Sequence, residues 1–232
     1  MKRSYAKEMM DLPGQPRELL EDDLRNLRII NRLLGNYRNV VRGLNRLVDA
    51  QEIHRFSLLD VGTGSGDIPT VIARWAGRNG VAVRISALEH EPVTVAQAAL
   101  QTRDFSEVTV VCGDGMAPPF HPASFDFVLA SQLLHHFSEE QIIRLLRIWS
   151  PLARRAIIVS DLMRHPLAYY GIRLLTKCFT RNAMTRTDAP LSVARAFTLA
   201  EWRALLREAD VGPFQILTAF PFRVMALIFA KG

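Results

Sequence analysis

The chain has 232 residues, 49% of them hydrophobic and 22% charged, with a formal net charge of +6. That is enough apolar material for one α/β domain with some appended helix, and it excludes a disordered or low-complexity chain. The basic balance admits nucleic acid, an anionic membrane surface or an anionic small molecule as partner, while two cysteines with no C-x-x-C pair argue against a structural zinc site.

Residues 1–14 read as a loose arm, punctuated by Pro13, Gly14 and Pro16. The arm lacks the apolar stretch of a signal peptide, and runs such as 225–230 are too short to span a bilayer, so a cytoplasmic location is expected. Leu20, Leu24, Leu27, Ile30 and Leu34 recur in steps of three and four and predict an amphipathic helix that Gly35-Asn36 ends. Tyr37, Val40, Val41, Leu44, Leu47 and Val48 predict a second. From residue 56 short apolar strands alternate with helices. The strands cover 57–61, 81–88, 108–112, 125–130 and 156–159, and the helices 67–78, 92–102 and from Ser138 to about Trp149. Cys112 falls in an apolar run and reads as core. Ser138 with Gln141, and Thr198 with Glu201, have the spacing of capping boxes. The alternation breaks over 163–197. A helix from Thr198 to near Asp210 and strands 215–220 and 223–230 then follow, the last two joined by Pro221-Phe222 as an antiparallel hairpin at the sheet edge. This order predicts parallel βαβ units and a doubly wound sheet.

The first strand runs into Gly62-Thr63-Gly64-Ser65-Gly66-Asp67. A glycine-rich turn there lets a ligand approach the backbone, next to the free N–H groups of the following helix. A dinucleotide site needs G-x-G-x-x-G and a helix N-terminus free for pyrophosphate. Here the spacing is G-x-G-x-G, and a carboxylate, Asp67, stands at the last glycine position. Asp60 and Asp67 instead suit a ligand with an ammonium and a sulfonium, as S-adenosylmethionine has. Three further strand ends are polar. Glu89 can accept from ribose hydroxyls, Asp114 from an adenine amino group, and Ser131 closes the fourth strand. Ligands of open α/β sheets bind beyond such strand ends.

The segments LLDVGTGSGDIP, ALEHEP, VVCGDGMAPPF and SFDFVLASQLLHHFSEE, between Leu58 and Asp161, resemble class I S-adenosylmethionine-dependent methyltransferases. They are most similar to the small-molecule group around the ubiquinone and menaquinone C-methyltransferases. The resemblance implies an α/β, Rossmann-like, seven-stranded, mostly parallel sheet with helices on both faces and the last strand antiparallel. The residues themselves suggest an N-terminal helical lid over 1–55, the alternative being helices that only cover the sheet's apolar face, and a methyltransferase domain over 56–232 with a substrate-cap insertion at about 163–197. Asp60, Gly62, Thr63, Gly64, Gly66 and Asp67 would form the cofactor loop, and Glu89 would hold the ribose with His90 beside the adenine. Gly113, Asp114 and the Met116 backbone would read the adenine, and Ser131 and Gln132 would meet the methionine portion. The product would be S-adenosylhomocysteine. The family's Pro-Gly-Gly turn before the fifth strand is replaced here by Pro151-Leu152-Ala153-Arg154-Arg155.

The sulfonium is a good leaving group, so positioning supplies much of the catalysis, and a base is needed only for a nucleophile of high pKa. His135 and His136 are the catalytic candidates, the other reading being packing or a cap on the Ser138 helix. Asp161, His165, Tyr169, Tyr170 and Arg173 are the candidates for substrate contact. Arg164, Arg173, Lys177, Arg181, Arg186 and Arg195 face one acid, Asp188, within the insertion. They fit a solvated helix face, a pocket for an anionic or lipophilic acceptor, or peripheral contact with a membrane. Arg32 or Arg38 of the lid could pair with the cofactor carboxylate. No metal is expected. An oxygen or carbon of a small aromatic acceptor, a phenol, a quinol or a polyketide-derived ring, is the expected methyl acceptor. The rival readings are a nicotinamide-dependent oxidoreductase, disfavoured by Asp67, and a nucleic-acid methyltransferase. The latter is disfavoured because Ala130-Ser131-Gln132-Leu133 replaces its Asn/Asp-Pro-Pro-aromatic motif. A non-catalytic binding protein is a third.

Overall fold

The computed structural model describes residues 1–12 and 14–231; Pro13, part of the expected arm punctuation, and Gly232 lie outside them. The strands are β1 (Arg55–Val61), β2 (Ala82–Glu89), β3 (Val108–Cys112), β4 (Phe125–Ser131), β5 (Ala153–Leu162), β6 (Phe214–Ala219) and β7 (Arg223–Phe229). They form one sheet in the order β3-β2-β1-β4-β5-β7-β6. The first five are parallel, and β7 runs antiparallel to both its neighbours. The expected hairpin is present, with β7 inserted into the sheet and β6 at its edge. Central β4 buries nearly every residue, which is why it reads as a continuous apolar run. β3 is the opposite edge, so Cys112 is exposed rather than in the core.

The helices are α1 (Arg17–Leu33), α2 (Asn36–Ala50), α3 (Asp67–Arg78), α4 (Pro92–Thr102), α5 (Glu139–Trp149), α6 (Pro166–Phe179), α7 (Ala183–Arg195) and α8 (Leu199–Ala209). On one face of the sheet Val40, Leu44 and Ile72 of α2 and α3 pack on Phe56, Phe127 and Ile158. On the other, Leu146, Trp149 and Trp202 of α5 and α8 pack on Val128 and Val159. Both expected capping boxes form. The insertion folds as the α6–α7 pair, and Ile30 of α1 joins Ile172, Ala189 and Val193 in a third, smaller core. The arm is not loose. Asp188 accepts from the Met9 and Met10 amides at 2.8 and 3.0 Å. Arg3 donates to the Arg195 and Phe137 carbonyls at 2.7 Å each and lies 3.8 Å over the Phe197 ring.

β5 starts three residues before the expected 156, because Arg154 and Arg155 are tied to β4. Asp126 accepts from the Ser57 amide at 2.8 Å and from Arg154 at 3.0 Å. Burial alone would raise this carboxyl, but the Arg154 and Ser57 bonds outweigh it and hold its pKa at about 2. A depressed carboxyl stabilises the fold above its unfolded value and loses that contribution as pH falls through the folded one. Discounted for solvent around Arg154, the contribution is on the order of 1 kcal/mol. Asp126→Asn should therefore unfold at lower urea than wild type at neutral pH, the gap closing as pH falls from the ordinary value of 3.8 to about 2. A gap independent of pH would refute the assignment.

Candidate active site

The parallel register brings four strand ends to one rim. Val61 lies opposite Leu88 and Ala130, Glu89 opposite Cys112, and Ser131 opposite Ser160. The β1 turn is pinned by the Gly62 and Thr63 amides, which donate to the Leu88 carbonyl at 2.9 and 3.1 Å. Gly66 takes φ +77° just before α3, where a Cβ would come within 3.2 Å of the Ala98 backbone. Only glycine lets the turn sit this close to α4.

Asp60 is 1% exposed and accepts from the Thr63 hydroxyl at 2.6 Å. Burial pushes its pKa up to about 7, against the Thr63 bond and helped by the negative charge of Asp67 and Glu89. Such a group favours a cationic neighbour. Glu89 is also buried. One carboxylate oxygen accepts from the Gly64 amide at 2.9 Å, the other from the His90 and Glu91 amides at 2.9 and 3.2 Å. The His90 ring is exposed, 3.2 Å from Glu89. Gly113 donates to the Glu89 carbonyl at 2.9 Å, Asp114 is exposed and accepts from the Met116 amide at 2.8 Å, and Trp149 donates to the Gly115 carbonyl at 2.9 Å. Asp67 is not a free carboxylate: it accepts from the Tyr37 hydroxyl at 2.8 Å, and burial raises its pKa against that bond. The turn is thus tied to α2.

Ser131 accepts from the Asn36 amide at 3.1 Å. Gln132 adopts φ +56°, donates its own amide to the Ser160 carbonyl at 2.8 Å, and places its side chain between Asn31 and the Arg223 guanidinium. Arg223 is 1% exposed, donates to the Leu34 carbonyl at 2.8 Å, and is lowered to about 10 by burial, with Asp161 opposing.

Next to Gln132 and Arg223 a cavity of about 350 Å³ opens between α1, α6 and α7, lined by apolar side chains such as Leu27, Ile30, Ala168 and Ile172. None of the five residues expected to contact substrate, Asp161, His165, Tyr169, Tyr170 and Arg173, lines it. Ile172 and Thr176 mark the buried side of α6, so positions 170 and 173 face solvent. Tyr169 is half-buried against the third core. His165 caps α6, accepting from the Leu167 amide at 3.2 Å, and stacks on Phe222 at 4.6 Å. Among the insertion's cations Arg164 and Arg195 are buried, whereas Arg173, Lys177, Arg181 and Arg186 are exposed. Arg32 and Arg38 are exposed as well.

The histidine pair lies beyond the end of β4. His135, 2% exposed, holds Asp161 through Nδ1 at 2.7 Å, and His136 holds Asp11 through Nδ1 at 2.9 Å. Burial works to raise Asp161, but the charge and hydrogen bond of His135 outweigh it and keep its pKa low. Both free Nε2 atoms face Glu8, at 3.8 and 3.9 Å, and neither ring lines the cavity.

Sequence reasoning missed Asn36, Asn39, Arg223, Glu8 and Asp11. Asn39 donates to the Ser160 hydroxyl at 2.9 Å. Asn36 and Asn39 interrupt the apolar stripe of α2, and Arg223 opens an apolar strand; buried polar groups of this kind were the readable signal. Nothing local marked Glu8 or Asp11, whose partners lie more than a hundred residues away.

None of the curated proteins matches the chain. The family model described as a methyltransferase domain matches residues 58–155. Human N-acetylserotonin methyltransferase, solved with S-adenosylmethionine, is 18% identical with a TM-score of 0.63; the match covers 100% of this chain and 63% of that one, so this chain spans less than two thirds of its length. A methyltransferase of Aquifex aeolicus, dependent on the same donor, is 14% identical with a TM-score of 0.66, over 94% of this chain and 100% of that one. Magnesium protoporphyrin IX methyltransferase of Synechocystis PCC 6803, with bound S-adenosylhomocysteine, is 15% identical with a TM-score of 0.59, over 95% and 90%. No helix among the described residues is long and apolar enough to cross a membrane. Residues 58–155 thus match a methyltransferase domain, which supports an enzyme, and the whole sheet has the Rossmann-like fold seen in S-adenosylmethionine-dependent methyltransferases.

Proposed function

We propose that the chain transfers a methyl group from S-adenosylmethionine to an oxygen or carbon of a small, lipophilic aromatic acceptor such as a phenol, a quinol or a polyketide-derived ring. The observation that carries this is the adjacency of two unlike sites: an acidic rim at the ends of β1 and β2, and an apolar cavity of about 350 Å³ beside Gln132. The rim fits the cofactor. Asp60 is a buried carboxylate with one hydrogen-bond donor, suited to an ammonium, and a Cβ at Gly64 would meet nothing within 4 Å, so the backbone there is open to a ligand. Asp60 and the 62–66 turn would hold the amino-acid end, Glu89 the ribose and Asp114 the adenine. When bound, the group supplies an electrophilic methyl on a ready leaving group.

The chain's own contribution is then mainly positioning. The α1, α6 and α7 walls shed water from an aromatic ring and hold it in line. Arg223 and Gln132, at the cavity's polar end, can orient a ring oxygen and favour its ionised form. His135 and His136 are not assigned the direct abstraction of a proton, since their free nitrogens turn toward Glu8 rather than the cavity.

Calorimetry with S-adenosylhomocysteine, followed by turnover of a panel of phenols and quinols, tests the reading. Ala168→Phe, which fills the cavity from a half-buried wall position, should abolish turnover of bulky acceptors and leave S-adenosylhomocysteine binding unchanged. Folded protein that binds neither S-adenosylmethionine nor its demethylated product would overturn the proposal.

A further inference from the structure

We propose that Glu8, His135 and His136 form a binding site for one divalent transition-metal ion of the zinc type. One ligand atom from each lies within 4.8 Å of the others. Three features of the cluster point to an ion. First, Glu8 Oε1 has no hydrogen-bond partner among the described residues although its side chain is only 2% exposed. A carboxylate oxygen in that position is costly unless something positive meets it. Second, the two imidazoles are held by their other nitrogens, His135 by Asp161 at 2.7 Å and His136 by Asp11 at 2.9 Å. A carboxylate on Nδ1 fixes the tautomer and leaves the Nε2 lone pair to a metal, the usual outer support of a metal-bound histidine. Third, both Nε2 atoms converge on the Glu8 carboxylate, at 3.8 and 3.9 Å.

Two imidazoles and a carboxylate are a donor set of open zinc sites, which keep one position for water or an anionic oxygen. Tetrahedral coordination with ordinary bond lengths needs ligand atoms about 3.3 Å apart, so ligand atoms that now stand as much as 4.8 Å apart must draw in around an ion. The rival partner for Glu8 Oε1 is Arg195, whose Nε lies 3.8 Å away. That guanidinium already donates to the carbonyls of Ala6, His135 and His136. Its Nε is spent on His135, and the contact with Glu8 is not a hydrogen bond. Ser192 donates to the other Glu8 oxygen at 3.0 Å and fixes the carboxylate's direction. A bound ion would add one more tie between the N-terminal arm, already held by Asp188 and Arg3, and the segment after β4.

Tag-free protein is stripped with a chelator, dialysed, and titrated with Zn²⁺ in a thermal melt and with Co²⁺ in a visible absorption cell. The expected results are one ion per chain, a melting temperature that rises with Zn²⁺, and the absorption of a low-coordinate Co²⁺ centre. Asp11→Asn should weaken binding about 10- to 100-fold. Glu8→Gln, which keeps size and shape, should weaken it further, and His136→Gln is a second ligand variant that removes a ring less buried than His135; circular dichroism verifies the fold of each. Stripped, folded wild-type protein that takes up no stoichiometric Zn²⁺ or Co²⁺ would overturn the proposal, and so would Glu8→Gln binding as wild type does. S-adenosylhomocysteine calorimetry on the same stripped sample reads the methyltransferase assignment separately.

Discussion

Glu89→Ala should lower the affinity for S-adenosylhomocysteine by about 100-fold while the chain stays folded. The Glu89 carboxylate accepts from the amides of Gly64, His90 and Glu91, so it sets the shape of the β1 turn as well as facing the bound ribose in the proposed complex. Truncation strands those donors, and each buried unpaired group costs about 1–3 kcal/mol. Because the rim is open to solvent, water recovers part of that cost in the free protein. The loss then falls mainly on binding, where about 2.7 kcal/mol equals two decades of affinity. Glu89→Gln keeps one acceptor oxygen and should fall between the two, at roughly a decade. Calorimetry gives the affinities, and a thermal melt separates a loosened rim from a damaged core. Unchanged affinity in Glu89→Ala would remove this carboxylate from the site.

The largest effect on stability is expected at Trp149. Its side chain is fully buried in the α5 face of the sheet, and its indole N–H donates to the Gly115 carbonyl at 2.9 Å. Trp149→Ala leaves a cavity and an unpaired carbonyl, at about 3–5 kcal/mol together. In a domain of this size that is a large fraction of the total. Trp149→Phe separates the two parts. It keeps most of the packing and removes the donor, so it should cost about 1–2 kcal/mol. It should also weaken cofactor binding, because Gly115 follows Asp114 in the turn at the end of β3. Urea midpoints at constant slope measure the first quantity and calorimetry the second. If Trp149→Phe binds as wild type does, that turn is held without the indole, by the Asp114–Met116 bond and by the Ala117 amide, which donates to the Asp114 carbonyl at 3.0 Å.

The βαβ frame was legible because its signals are local. The 62–66 glycines, the Ser138 and Thr198 capping boxes and the apolar runs of β1 to β5 each specify their own few residues. The rim residues followed, because strand ends of a parallel sheet share one edge. What sequence could not show was set by distant contacts. Cys112 lies in an apolar run, yet its strand is at the sheet edge, which only strand order decides. Tyr170 and Arg173 belong to a helix whose buried side is chosen by α1 and α7. The arm looked loose because it is short, charged and broken by Gly and Pro. Its order comes from Asp188 and from the carbonyl contacts of Arg3.

The placement of β7 between β5 and β6 carries a consequence for assembly on the ribosome. β6 emerges before β7 but has no partner until β7 arrives, and the free edge of β5 waits for the same segment. Helix α2, made well before β7, lacks part of its floor in the meantime, since Gly43 packs against Met225. The nascent chain therefore carries an unpaired strand edge and an uncovered apolar helix face until β7 has emerged, which makes that interval one in which chaperone capture and aggregation compete with folding.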